Sequence, residues 1–214
     1  MADQTPWQTT GPFFHFGLAW KGGADLTADS DLGSRPDLCA PGHDIYSVKE
    51  TGRHLVKGRR IELVGNLFDN TGAPLTDALL EIWQANAGGR YAHPEDTRGE
   101  LPADPNFAGF GRAATDKQGG FRFRTIRPGR VPGPGNSLQA PHIALGIVGP
   151  GILKRLVTRL YFADAPENDE DPILALVAPQ RRSTLLATPE PGAPDTYRFD
   201  IRLGGERETV FFEI

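Results

Sequence analysis

The residues best able to do chemistry sit in a few blocks of the 214-residue chain. The most distinctive is Leu79-Leu80-Glu81-Ile82-Trp83-Gln84-Ala85-Asn86-Ala87-Gly88-Gly89-Arg90-Tyr91, an apolar run that ends in a polar, glycine-rich turn. A buried strand followed by such a turn delivers Tyr91 from a rigid element rather than from a floppy tip. A core or interface tyrosine with its hydroxyl hydrogen-bonded fits the same pattern. The histidines His15, His43, His54 and His93 have no ligand spacing with His142. Each of the four reads as a surface or hydrogen-bonded side chain, and His142 as a structural one. The single cysteine, Cys39, excludes an internal disulfide framework and a thiolate metal cluster, and it fits a reducing compartment.

Those blocks must be positioned by short strands. From Arg60 onward apolar runs alternate with turn signals, the pattern of a sandwich or barrel, and 26 glycines and 19 prolines, about a fifth of the chain, require frequent turns. Strands are expected over 61–68 and 78–83, paired as a hairpin across the turn Asp69-Asn70-Thr71-Gly72. Others are expected over 121–126, 143–148, 156–162, 197–203 and 209–214. In 197–203, Tyr197, Phe199, Ile201 and Leu203 share one face and three charges the other. Helical signal is scarce, and the best of it is 171–177, where three acids precede Pro172. Two long aperiodic stretches, 88–109 and 128–141, are the places to seek a site.

Residues 1–58 read differently: an aromatic-rich start (Trp7, Phe13, Phe14, Phe16, Trp20), a polar Gly/Asp/Ser stretch and a mixed segment around 43–54 that suits a short helix. Aromatics at that density should lie against another surface, so 1–58 is expected to be an extended arm with loops, and 59–214 the folded core. A formal charge of −4 leaves no basic field for nucleic acid or an anionic membrane. With neither a signal-peptide pattern nor an apolar run of 18 residues, a cytoplasmic protein is expected.

Taken with Asp104-Pro105-Asn106-Phe107, Gly111-Arg112, Thr125-Ile126-Arg127-Pro128-Gly129, Ala140-Pro141-His142-Ile143 and Arg159-Leu160-Tyr161-Phe162, the Leu79–Tyr91 block resembles the intradiol ring-cleavage dioxygenases. The likeness runs along nearly the whole chain, from Thr9-Thr10-Gly11-Pro12-Phe13 to Val210-Phe211-Phe212. It implies an all-β sandwich of two mixed sheets with long loops and few short helices. It also implies non-haem Fe(III) held by two tyrosines and two histidines. Phenolate is a hard anionic donor suited to ferric iron, and imidazole completes the shell while leaving room for a catecholate. In the family the bound catechol reacts with O2 and opens between its hydroxylated carbons.

The resemblance maps those four ligands onto Tyr91, Val131, His142 and Ala144. Where the family has Pro-Gly-x-Tyr-Pro this chain reads Pro128-Gly129-Arg130-Val131-Pro132, and where it has His-x-His the chain reads His142-Ile143-Ala144. A single tyrosine and a single histidine cannot enclose a ferric ion. No metal is therefore expected in this chain. The protocatechuate-cleaving members are built from two homologous chains, of which only β carries iron, and this sequence is similar to their α type. That implies a tight αβ pair repeated in a larger assembly, with the α arm lining the β substrate pocket through Thr9, Gly11 and Pro12. Gly11 permits close backbone approach, Pro12 fixes the turn and Thr9 offers a hydroxyl. Read without the family, Thr10-Gly11-Pro12 is first of all a turn that places Phe13 and Phe14 in a groove, and the resemblance reverses that order. A scaffold or binding module with no catalytic contribution is the alternative. An independent catechol-cleaving enzyme is disfavoured, because valine and alanine offer no donor atoms.

Overall fold

A computed structural model describes residues 23–33 and 55–213. The aromatic arm, Cys39, the expected helix around 43–54 and the residues Thr9, Gly11, Pro12, His15, His43 and His54 lie outside them.

The described chain is mostly β, with three short 3-10 helices at Pro166–Glu170, Leu174–Leu176 and Pro179–Leu185. Strand β1 (Arg60–Phe68) alternates strictly, burying Ile61, Leu63, Gly65 and Leu67. It pairs antiparallel with β4 (Gly120–Ile126) on one edge. On its other edge it pairs in parallel with β10 (Ala193–Arg198) and β11 (Ile201–Arg202). The hydrogen-bonded path then continues through β9 (Leu186–Glu190), β8 (Leu156–Phe162), β7 (His142–Val148) and β2 (Leu79–Trp83) to β3 (Phe110–Ala114). A two-stranded ribbon, β5 (Val131–Pro132) with β6 (Leu138–Gln139), stands apart.

The nine strands of that path form one continuous, curled sheet rather than two separately bonded layers. Its ends, β3 and β4, approach each other without ladder bonds. Residues 23–26 lie between them. The Gly23 carbonyl accepts from Arg112 N of β3 at 2.6 Å, while Leu26 N donates to the Arg124 carbonyl of β4 and Arg124 N to the Ala24 carbonyl, both at 2.8 Å. This segment satisfies two otherwise open edges and nearly closes a barrel. The interior holds Leu63, Leu67, Leu80, Ile82, Phe123, Ile143, Leu145, Leu160 and Phe162, all at most 1 % exposed.

Several expected elements differ. The runs 61–68 and 78–83 do not pair with each other: β1 bonds to β4, β10 and β11, whereas β2 bonds to β3 and β7. The Asp69 carboxylate does hold a tight turn, accepting from Thr71 N and Ala73 N. The chain beyond that turn nevertheless crosses to the far part of the sheet, since both runs need a full row of partners. The stretch 197–203 keeps its buried face but breaks at Phe199-Asp200, where the Asp200 carboxylate replaces a ladder carbonyl and accepts from Asn66 N at 3.0 Å. Residues 209–213 are extended but join no sheet, binding instead through Thr209 N to Arg202 O and Phe212 N to Val157 O. The helical signal at 171–177 yields only the three-residue 3-10 turn Leu174–Leu176. Asp171 accounts for this: its carboxylate accepts from Ile173 N and Leu174 N but also from Ala140 N and the Tyr161 hydroxyl, tying the segment to the sheet instead of starting a helix.

Candidate functional site: a cavity on the outer face of β2, β7 and β8

Alternation on β2, β7 and β8 sends one set of side chains to the core and the other outward. The outward set includes Trp83 on β2, His142 and Ala144 on β7, and Arg159 and Tyr161 on β8. Register makes them neighbours: Ala144 lies opposite both Trp83 and Arg159, and His142 opposite Tyr161. The two long aperiodic stretches fold over this face and leave a cavity of about 680 Å3. Trp83, Tyr91, Arg98, Val131, His142 and Arg159 line it, with exposed His93, Glu95 and Thr97 at its rim.

The loops are fixed by Asn86. Its side-chain oxygen accepts from Gly88 N at 2.9 Å and Arg90 N at 3.0 Å, and its amide donates to the Pro102 carbonyl at 3.0 Å. Its main-chain carbonyl accepts from Gly129 N at 2.9 Å, which locks the Tyr91 loop to the segment that carries Val131. Gly89, at φ +81°, has no substitute here, because a Cβ would fall on the Arg130 carbonyl oxygen. Tyr91 N then donates to Asp96 at 2.8 Å, and Asp96 is gripped by Arg98 at 2.6 Å. That ion pair holds the Asp96 carboxyl well below the usual carboxylate range.

The glycine-rich turn thus delivers Tyr91 as its sequence suggests, to the wall of a cavity. Its ring stacks on Trp83 with centroids 5.8 Å apart and planes 10° from parallel. Burial raises its pKa, so the phenol keeps its proton at neutral pH. His142 is buried, and its Nδ1 lies 2.8 Å from the Ala140 carbonyl. A carbonyl only accepts, so Nδ1 carries the hydrogen and Nε2 is left as an acceptor. Burial, reinforced by the Arg159 charge, lowers the imidazole pKa to about 4. Tyr161, behind it, is also pushed up by burial and by Asp171.

These residues do not fit ferric iron. Val131, 3 % exposed, and Ala144 present only hydrocarbon where the family pattern calls for a phenolate and a second imidazole. The row that holds Ala144 also carries a guanidinium, Arg159, whose charge opposes that of a trivalent cation. Among the described residues no group of three or more His, Cys, Asp or Glu could hold a metal ion. His93 is exposed, as expected for an ordinary histidine, but it stands at the rim. The role of Arg159 is the residue-level signal the sequence hides. Its block is legible as a motif, but its place beside Ala144 depends on a strand register that no local pattern encodes.

Comparison with known proteins shows which family the chain is similar to. The family model described as Dioxygenase matches residues 40–205. The protocatechuate 3,4-dioxygenase alpha chain of Burkholderia cepacia is 38 % identical over 217 residues, covering 99 % of this chain and 98 % of the relative. The beta chain from the same organism is 40 % identical over 159 residues, covering 71 % of this chain and 67 % of the relative. Among solved structures, the dioxygenase domain of a dioxygenase and carbohydrate-binding protein fusion from Streptomyces sp. SirexAA-E superposes with a TM-score of 0.55 at 28 % identity, covering 94 % of this chain and 99 % of that one. No helix among the described residues is long and apolar enough to cross a membrane. A full-length likeness to alpha chains, carried on the fold and motifs above, makes this chain a member of the intradiol ring-cleavage dioxygenase family.

Proposed function

We propose that the chain is the iron-free α subunit of a protocatechuate 3,4-dioxygenase, the enzyme that opens protocatechuate with O2 to 3-carboxy-cis,cis-muconate. The observation that carries this reading is hydrocarbon at positions 131 and 144 in a chain whose full length matches α chains. A homologous β subunit then supplies the Fe(III) centre, and α and β repeat in a larger cytoplasmic assembly. Residues 1–58 form the arm and loops that pack on the partner, and 59–214 the core, whose curled sheet we read as the two facing layers of the family sandwich.

Thr9, Gly11 and Pro12 line the β pocket in this reading. Gly11→Val in the co-expressed αβ complex tests it: the added side chain obstructs the neighbouring site and raises KM for protocatechuate, with assembly retained. Loss of assembly with unchanged kinetics in the residual complex makes the arm a docking strap. If removing residues 1–16 leaves both KM and kcat of the complex unchanged, the chain is a scaffold with no catalytic contribution.

A further inference from the structure

We propose that the cavity of this chain is itself a metal-free binding site for a small aromatic carboxylate. The inference stands on the cavity alone and holds whether or not the chain assembles with a partner. A volume of about 680 Å3 lies within the range of small-molecule sites. One wall is the parallel Trp83–Tyr91 stack, a flat apolar surface that suits a planar ring. Between Trp83 and Arg159 in the sheet stands Ala144, whose side chain is only a methyl group.

Arg159 supplies the charge. Among the described residues it has no carboxylate partner: it donates to Gln139 Oε1 at 2.5 Å and stands 5.7 Å from the Phe212 ring centroid. Among the described residues the other guanidinium in the cavity, Arg98, is paired with Asp96, which leaves Arg159 as the cation available to an anion. A planar fork of N–H donors matches a carboxylate in geometry as well as sign. The Tyr91 hydroxyl, on the cavity wall, can donate, and His142 Nε2 can accept from a ring hydroxyl. Glu95 at the rim opposes an anion, but it is exposed and therefore screened.

The test is calorimetric titration of the full-length protein, alone or as purified complex, with 4-hydroxybenzoate in buffer containing a chelator. Each preparation is compared with the same preparation carrying Arg159→Gln. The wild type is expected to bind one additional equivalent per copy of this chain. In Arg159→Gln that equivalent is weakened tenfold or more, and Val131→Phe, which fills the cavity but keeps the arginine, removes it. The neutral analogue 4-hydroxybenzyl alcohol binds at least tenfold more weakly than the acid, and Trp83→Leu weakens the acid without restoring the alcohol. Equal binding in wild type and both cavity variants overturns the proposal. So does the absence of saturable binding by the wild type, including the case in which a terminal segment already fills the cavity. Binding of inorganic phosphate as tight as that of 4-hydroxybenzoate reduces the site to a simple anion hole and overturns the aromatic part.

Discussion

Two adjacent rows on the outer face of one sheet handle the same kind of charge in opposite ways. In the row through Glu81, the carboxylate accepts from Arg112 at 2.6 Å and from Arg155 at 3.2 Å, so two guanidinium groups share one partner. Gly146 lies opposite Glu81 and keeps that row low, since a Cβ there would meet the Arg155 guanidinium. Two residues along each strand, the row through Ala144 has Trp83 on one side and Arg159 on the other, with no carboxylate between them. The first row is closed by its own ion pairs and acts as structure. The second leaves an aromatic wall and a guanidinium that has no carboxylate partner among the described residues, both facing a cavity. A cavity without the donors a ferric ion needs is still a built one here, since its loops are pinned by Asn86.

The strongest way to sharpen that contrast is through pH. The folded chain resists protonating His142 until about pH 4, whereas an unfolded imidazole takes its proton near 6.5. The folded pKa is depressed, so nothing is lost above 6.5. Stability falls as pH drops from 6.5 to 4, by about 3 kcal/mol at most. Urea unfolding across that range is expected to show this slope in the wild type and a flatter one in His142→Gln. Next in size is the matched row. Glu81→Ala removes the carboxylate that two arginines share, and the expected loss is about 2 kcal/mol in urea unfolding at pH 7, reduced from a fully buried case because Arg155 is half exposed. Smallest is the unmatched row. Arg159→Leu removes neutral hydrogen bonds but also an unpaired charge, so stability is expected to change by no more than about 1 kcal/mol. A loss from Arg159→Leu as large as that from Glu81→Ala would erase the distinction between the rows.

The parts of the fold that rest on local patterning are legible in the sequence: β1 and β4 fall where period-two alternation places them, and β7 and β8 fall on apolar runs. The partners of those strands are not. The Asp69–Gly72 turn is a real turn that closes a short antiparallel bridge between Phe68 and Pro74, yet it does not pair β1 with β2, because strand pairing is decided by which rows complete the sheet rather than by the turn. Asp171 likewise reads as a helix start and serves instead as a buried hub for Tyr161 and Ala140. At the site, the missing ligands are visible as residue types, and both aperiodic stretches do contribute to the cavity. Arg159 and Trp83 become site residues only through register with Ala144, and the closing role of residues 23–26 only through the gap between β3 and β4.

The central claim, that the reactive metal belongs to a sister chain, is tested most directly by counting iron in the full-length protein purified alone and in the complex with a β chain. The account predicts a colourless, iron-free and inactive chain alone, against one ferric ion per αβ pair and a burgundy complex that cleaves protocatechuate. Stoichiometric iron and ring cleavage by this chain alone would contradict it.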